Sequence, residues 1–228
     1  MELLESIEMV ARHLEPIDIP FAFLGGAAVC LLVDHPELMD FRPTKDVDVI
    51  IKVSTFLELT KLDEQLRKHG FRHDTEKGAP ICRWEIESCK VDIMPIDQKV
   101  LGTNSRWFAE ALATAQQKMI AKNTSVKVIA APYFLATKLE AFKDRGKNDL
   151  YGSPDIEDIV TLVDGCSSIV DAVQKSPKAL RTYLADAFAN IIKSPNFDDI
   201  LVGHFSSDTA SRQRIPRVLE RIRAIASG

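Results

Sequence analysis

The stretch Asp46-Val47-Asp48-Val49-Ile50-Ile51 constrains this chain more than any other. Its β-branched residues favour extended backbone. Strand alternation sends Asp46 and Asp48 to one face, while Val47, Val49 and Ile51 fill the other. A strand with one apolar face needs a core to cover it, so the segment calls for a sheet with something packed behind it. The two carboxylates then lie about 6–7 Å apart, two residues along a strand. Like charges so placed are unfavourable without a cation between them. A divalent cation is the natural partner, since Mg²⁺ is held by one or two carboxylates with water and phosphate oxygens. A lone D-x-D also suits a solvated strand end.

The elements around that strand are mixed. Leu3, Leu4, Ile7, Val10, Ala11 and Leu14 have the spacing of an amphipathic helix over residues 3–15. Phe21-Ala-Phe-Leu-Gly25-Gly26 reads as a short buried strand ending in a glycine turn, followed by a buried helix that stops near Asp34-His35-Pro36. Ser54 caps a helix reaching about Gly70, and residues 81–87 and 90–96 form two strands joined at Ser88-Cys89. Beyond that point helical periodicity dominates, over 105–115, 132–143, 153–163, 177–192 and 209–226, and only 126–130 resembles a strand. The expected class is α+β. A head with a small mixed or antiparallel sheet covers residues 1–118, and a mainly helical domain covers 119–228. The boundary falls within 100–131, where Gly102-Thr103-Asn104 supplies the linker chemistry.

The whole-chain numbers fit this plan. At 228 residues the chain makes one or two domains, each large enough to bury a core without a disulfide or metal staple. With 46% hydrophobic residues and a formal charge of −4, it is neither disordered, nor collagenous, nor a strongly basic nucleic-acid coat. Cys30, Cys82, Cys89 and Cys166 are widely spaced, with no C-x-x-C pair, and read as packing residues of a reduced compartment. The longest apolar run, residues 21–33, is short of the roughly 20 residues that cross a bilayer, and the acidic start Met1-Glu2-Leu3-Leu4-Glu5 is unlike an export signal. The expectation is a cytoplasmic protein with no membrane partner.

Several further residues carry chemistry. Lys90-Val91-Asp92-Ile93-Met94 is a second strand whose Asp92 interrupts apolar neighbours, and pairing beside the first strand would add a third carboxylate. Three aspartates can hold two metals, the requirement of in-line phosphoryl or nucleotidyl transfer. Taken alone, Asp92 equally suits an exposed position on an edge strand. Gly25-Gly26 brings bare backbone to the start of a helix, an arrangement that welcomes phosphate or simply makes a tight turn. On the helix 132–143, Lys138 lies on or beside the stripe Leu135, Leu139 and Phe142, with Arg145 seven residues on. That pair suits a triphosphate, or Lys138 snorkels to solvent. Ser153-Pro154-Asp155 is a helix start that accounts for Asp155 without function. Asp158 borders the buried stripe of that helix and is the preferred acid, orienting Lys138 or Arg145 or contacting ribose. The run Arg212, Arg214, Arg217, Arg221, Arg223 offers an RNA contact or the solvated face of a closing helix.

Together these pieces resemble the DNA-polymerase-β-like nucleotidyltransferase superfamily, in particular the branch containing the AbiEii-type toxins. The resemblance rests on the strand ending in Gly25-Gly26, on Arg42-Pro43-Thr44-Lys45-Asp46-Val47-Asp48, and on Val91-Asp92-Ile93. It continues through Ala136-Thr137-Lys138-Leu139-Glu140 and Arg145…Asp149…Asp155…Asp158. It implies that Asp46, Asp48 and Asp92 ligate Mg²⁺, or Mn²⁺ in its place, and carry catalysis. It further implies that Gly25, Gly26, Thr44, Lys45, Lys138, Arg145 and Asp158 bind the nucleoside triphosphate. The activity implied is transfer of NMP to an acceptor, tRNA or another RNA, by the toxin of a toxin–antitoxin or phage-defence pair with a cognate antitoxin protein. The alternatives are an antibiotic-type small-molecule nucleotidyltransferase and a non-catalytic nucleotide-binding regulator. Two departures stand out. Gly26 and Ala27 follow the first motif glycine where the family often has Ser, and a long insertion, His35 to Pro43, precedes Asp46.

Overall fold

The computed structural model describes residues 3–44, 46–102, 106–121 and 124–228. The chain divides into two compact units, Met1–Leu31 with Pro43–Ala130, and Leu32–Arg42 with Ala131–Gly228. The β6–β7 hairpin introduced below therefore belongs with the sheet, and an eleven-residue stretch from early in the chain belongs with the helices.

The first unit is α+β and mixed, as expected. In chain order it holds α1 (Leu3–Leu14), β1 (Phe21–Leu24), α2 (Gly25–Ala28), β2 (Asp46–Ile51), α3 (Phe56–Lys68), β3 (Arg72–His73), β4 (Arg83–Ile86), β5 (Cys89–Pro95), α4 (Gln98–Leu101), α5 (Phe108–Ala113), β6 (Gln116–Ala121) and β7 (Thr124–Val128). The strands form one sheet in the order β3-β4-β5-β2-β1-β7-β6. β2 runs parallel to β5 and antiparallel to β1, while β7 lies parallel to β1. Val47, Val49 and Ile51 are buried to within 2% of full exclusion, as the alternation requires. α1 packs against β2, and its Ile7, Val10 and Leu14 are buried, whereas Leu4 stays exposed.

Three local expectations are corrected. Thr55, not Ser54, caps α3: its hydroxyl accepts from Glu58 N–H while Glu58 Oε2 accepts from the amides of Ser54 and Thr55, a complete capping box. The helix after Gly25-Gly26 is a single turn followed by a 3₁₀ turn, Val29–Leu31, and not one continuous helix. The strand anticipated at 126–130 is one arm of a hairpin whose other arm, β6, is polar and lies at the sheet edge, so it gave little hydrophobic signal.

The second unit is helical: α6 (Ala131–Arg145), α7 (Pro154–Gly165), α8 (Ile169–Gln174), α9 (Lys178–Ile192), α10 (Phe197–Gly203) and α11 (Thr209–Ala226). Its core is Phe134, Leu135, Leu139, Leu162, Val163, Leu184, Phe188, Val218 and Ile222. The early segment Leu32–Arg42 is tied to it by hydrogen bonds from Asp34 N–H to Gly165 O at 2.9 Å and from Ser167 N–H to Asp34 Oδ2 at 2.8 Å. Among the described residues no helix is long and apolar enough to cross a membrane.

Candidate active site

The sheet register builds one transverse row over four neighbouring strands. Arg83 on β4 lies opposite Asp92 on β5, Asp92 beside Asp48 on β2, and Asp48 opposite Leu24 at the end of β1. Asp46 precedes Asp48 by two residues and so shares its face. The structure thus brings together Asp46, Asp48 and Asp92, from segments more than 40 positions apart. Asp92 is 8% exposed, and its strand is central, so the edge-strand reading fails.

The residue missing from the sequence reading is Arg83. Its Nε donates to Asp92 Oδ1 and its Nη2 to Asp92 Oδ2, both at 2.7 Å, and Nη2 also donates to Asp46 Oδ2 at 2.7 Å. Such a two-pronged guanidinium–carboxylate pair is among the stronger hydrogen-bonded contacts in proteins. The hydrogen bonds to Asp92 raise the guanidinium's pKa above its already high ordinary value, so Arg83 is a permanent cation. Asp46, Asp48, Asp92 and Arg83 together keep a formal charge of −2, which one divalent ion would balance. The hard carboxylate oxygens are the donors that Mg²⁺ and Mn²⁺ prefer, so the residues fit such an ion by chemistry. Among the described residues, however, no three acidic, histidine or cysteine side chains converge on one point as they stand. The carboxylates of Asp46 and Asp92 are arranged on Arg83 instead.

Gly25 and Thr44 complete the surroundings. Gly25 has φ +73° and lies so close to β2 that a Cβ there would fall 2.5 Å from Asp48 Cγ. Both features demand glycine. Gly26 is buried in the single turn of α2. Thr44 Oγ1 donates to Asp46 Oδ1 at 3.0 Å and thereby fixes that carboxylate. The expectation for Lys45 lies outside the described residues.

The other candidates form a separate cluster in the second unit. Lys138 is 7% exposed, with Nζ 2.5 Å from Asp158 Oδ2 and 3.3 Å from Asp155 Oδ1. It does not snorkel to solvent. Arg145 donates through Nε and Nη2 to both oxygens of Asp155, at 2.9 and 2.8 Å, and Arg42 Nη2 lies 3.4 Å from Asp158 Oδ2. Asp155, set aside as a helix start, is 1% exposed and joins the two cations that were read as a pair. Burial pushes its carboxyl up, but the Arg145 hydrogen bonds and the Lys138 charge outweigh this and hold it below the usual range. Ser153 occupies the N-cap position of α7, yet its side chain makes no capping bond. Of the C-terminal arginines, Arg214 and Arg217 bind Asp164 at 2.8 and 2.9 Å, and Arg221 donates to the carbonyls of Val163 and Asp164. These three cations complement the carbonyl end of α7.

No protein-family model matches the chain, and no curated protein sequence does. Solved structures do share its fold. An antigenic nucleotidyltransferase-like protein from Paracoccidioides brasiliensis is 22% identical with a TM-score of 0.51, covering 89% of this chain and 93% of that one. The antibiotic-resistance factor ANT(2'')-Ia is 15% identical with a TM-score of 0.52, covering 83% of this chain and 94% of that one. The chain has a nucleotidyltransferase-like fold.

Proposed function

We propose that this chain is a divalent-metal-dependent nucleotidyltransferase that moves a nucleoside monophosphate from a nucleoside triphosphate to an acceptor hydroxyl. The observation that carries the reading is the in-register pairing of Asp48 with Asp92 on parallel neighbours, with Asp46 on the same face, in a nucleotidyltransferase-like fold.

Asp46, Asp48 and Asp92 would hold Mg²⁺, or Mn²⁺ in its place, which when bound supplies charge neutralisation for the triphosphate and activation of the attacking oxygen. Asp92 accepts the proton of the acceptor hydroxyl as that oxygen bonds the α-phosphorus and pyrophosphate departs. Thr44 orients Asp46 through its 3.0 Å hydrogen bond. Gly25 and Gly26 offer side-chain-free backbone beside Asp48, where the triphosphate would lie, with Lys45 next to it in sequence. Lys138, Arg145 and Asp158 are assigned to nucleotide binding by their helix spacing and chemistry and by the family resemblance. Their mutual ion pairs favour a positioning part inside the second unit.

The AbiEii-type resemblance supports the finer reading, a toxin acting on tRNA or another RNA and restrained by an antitoxin protein. The C-terminal arginines add nothing to it, because three of them are engaged with α7. The test is transfer of label from each α-phosphate-labelled NTP, with Mg²⁺, onto total tRNA, aminoglycosides or lysate protein, comparing wild type with Asp46→Ala/Asp48→Ala. Label on tRNA with wild type only is the expected result. Label on an aminoglycoside would replace the RNA acceptor with a small molecule. NTP binding without transfer to any acceptor would turn the reading into a nucleotide-binding regulator.

A further inference from the structure

We infer that Arg83 is an internal counter-cation that competes with the divalent ion for Asp46 and Asp92, so that the metal enters this site only by displacing it. The inference rests on the nucleotidyltransferase reading and deepens it.

The contest is over particular atoms. A metal bound to Asp92 must use Oδ1 or Oδ2, and each already accepts an N–H of Arg83 at 2.7 Å. One bound to Asp46 must contend with the Arg83 contact on Oδ2 and the Thr44 hydroxyl on Oδ1. Mg²⁺ requires oxygen at about 2.0–2.1 Å in near-octahedral order. A carboxylate aimed at a guanidinium does not present its lone pairs that way without turning. The guanidinium cannot leave by deprotonation, since an arginine keeps its proton at any physiological pH. The β4–β5 ladder fixes the backbone of residue 83 opposite residue 92, so displacement means that the side chain alone swings aside and the cation stays nearby. Partial burial strengthens the hold: the side chains of Arg83 and Asp92 are 19% and 12% exposed.

Loss of the Arg83 charge favours the metal by Coulomb attraction in any case; what marks displacement is that the Arg83 contacts to Asp46 and Asp92 open as the metal binds. Replacing Arg83 by a neutral residue changes the formal charge of the cluster from −2 to −3 and frees three oxygen contacts.

The experiment is calorimetric titration of the full chain with Mn²⁺, for wild type, Arg83→Gln and Asp48→Asn. The expected result is a Kd lower in Arg83→Gln by roughly ten- to a hundredfold, the size expected when a unit charge a few ångströms away is removed at intermediate dielectric. Asp48→Asn serves as the control that binding occurs at this site. A Kd in Arg83→Gln equal to or higher than wild type, with binding abolished in Asp48→Asn, overturns the competition and leaves nucleotidyl transfer standing. Absence of Mn²⁺ binding in both wild type and Arg83→Gln overturns the metal-dependent reading and this inference with it. Should Arg83→Gln fail to fold, the wild type decides. The Nε–H resonance of Arg83, assigned by its loss in Arg83→Lys, shifts saturably on adding Mg²⁺ if the pair opens; an unmoved resonance at Mg²⁺ saturation refutes the displacement.

Discussion

Gly25 stands against the carboxylate of Asp48, so close that a methyl group on residue 25 would lie 2.5 Å from Asp48 Cγ and 2.7 Å from its Cβ. The residue also has φ +73°, a region that side chains other than hydrogen enter at a cost. Gly25→Ala should therefore destabilise the protein by roughly 1–3 kcal/mol and turn the Asp48 side chain away from its present position. Urea unfolding and Mn²⁺ titration of the variant check both effects. A variant with unchanged midpoint and unchanged metal binding would show that β1 and β2 can separate here at no cost.

Asp92 and Asp48 carry the proposed chemistry, and the conservative amides should abolish it while keeping the fold. Asp92→Asn and Asp48→Asn are each expected to lower kcat/KM for nucleotidyl transfer by about 10²–10⁴, the range of a lost general base or charge-stabilising group. Circular dichroism should stay as in wild type. Activity within tenfold of wild type in either variant would remove that residue from the mechanism.

Asp155 makes stability depend on acid. Its folded carboxyl is held below the ordinary range by Arg145 and Lys138, against burial. The unfolded chain has an ordinary Asp near pKa 3.9. The contribution is therefore complete above about pH 4 and is lost as pH falls through the lower folded value. Asp155→Asn should flatten the fall of Tm with acid in that window. At neutral pH it should cost about 2 kcal/mol, since it removes one of the two carboxylates on the buried ammonium of Lys138 and the charge that Arg145 pairs with, while Asp158 stays. Thermal scans of both proteins from neutral to strongly acid buffer measure the slope and the offset.

The cysteines should be silent in the native state. All four are buried as free thiols. Burial, aided by the Asp92 charge, pushes the Cys82 thiol up to about 12, and burial pushes that of Cys30 up to about 11. The reactive thiolate is thus scarce at neutral pH. A thiol reagent should label none of them rapidly in the folded protein and all four after denaturation. Fast native labelling would mean that the fold opens locally around one of them.

What was legible in the sequence follows physical range. The Asp46–Ile51 strand announced its two faces because alternation is local, and the helices of the second unit did so through their 3.6-residue period. Arg83 escaped because its meaning depends on hairpin register, which slips by two residues when the turn moves by one. A turn at Ser88-Cys89 would set Glu85 opposite Asp92. The actual turn uses Glu87 and Ser88, at φ 45° and 69°, which pairs Ile86 with Cys89 and Arg83 with Asp92. Neither residue is a glycine or asparagine, the usual signal for such a turn. Asp155 was misread for a related reason: an acid in the first turn of a helix has a sufficient local explanation, and the 17-residue reach to Lys138 is invisible until α6 and α7 pack.

The helical unit is not a contiguous piece of chain. Arg42 reaches Asp158 across 116 positions, Asp34 binds Gly165 and Ser167, and Arg214, Arg217 and Arg221 close on the end of α7 from near the last residues. An excised fragment starting at Ala131 would leave its own early strap behind, and one ending before Arg214 would leave α7 uncapped. On the ribosome, the strap emerges first and must wait for α7 and the residues just after it before its partners exist. The sheet unit, finished by Ala130, is the part that synthesis can release first.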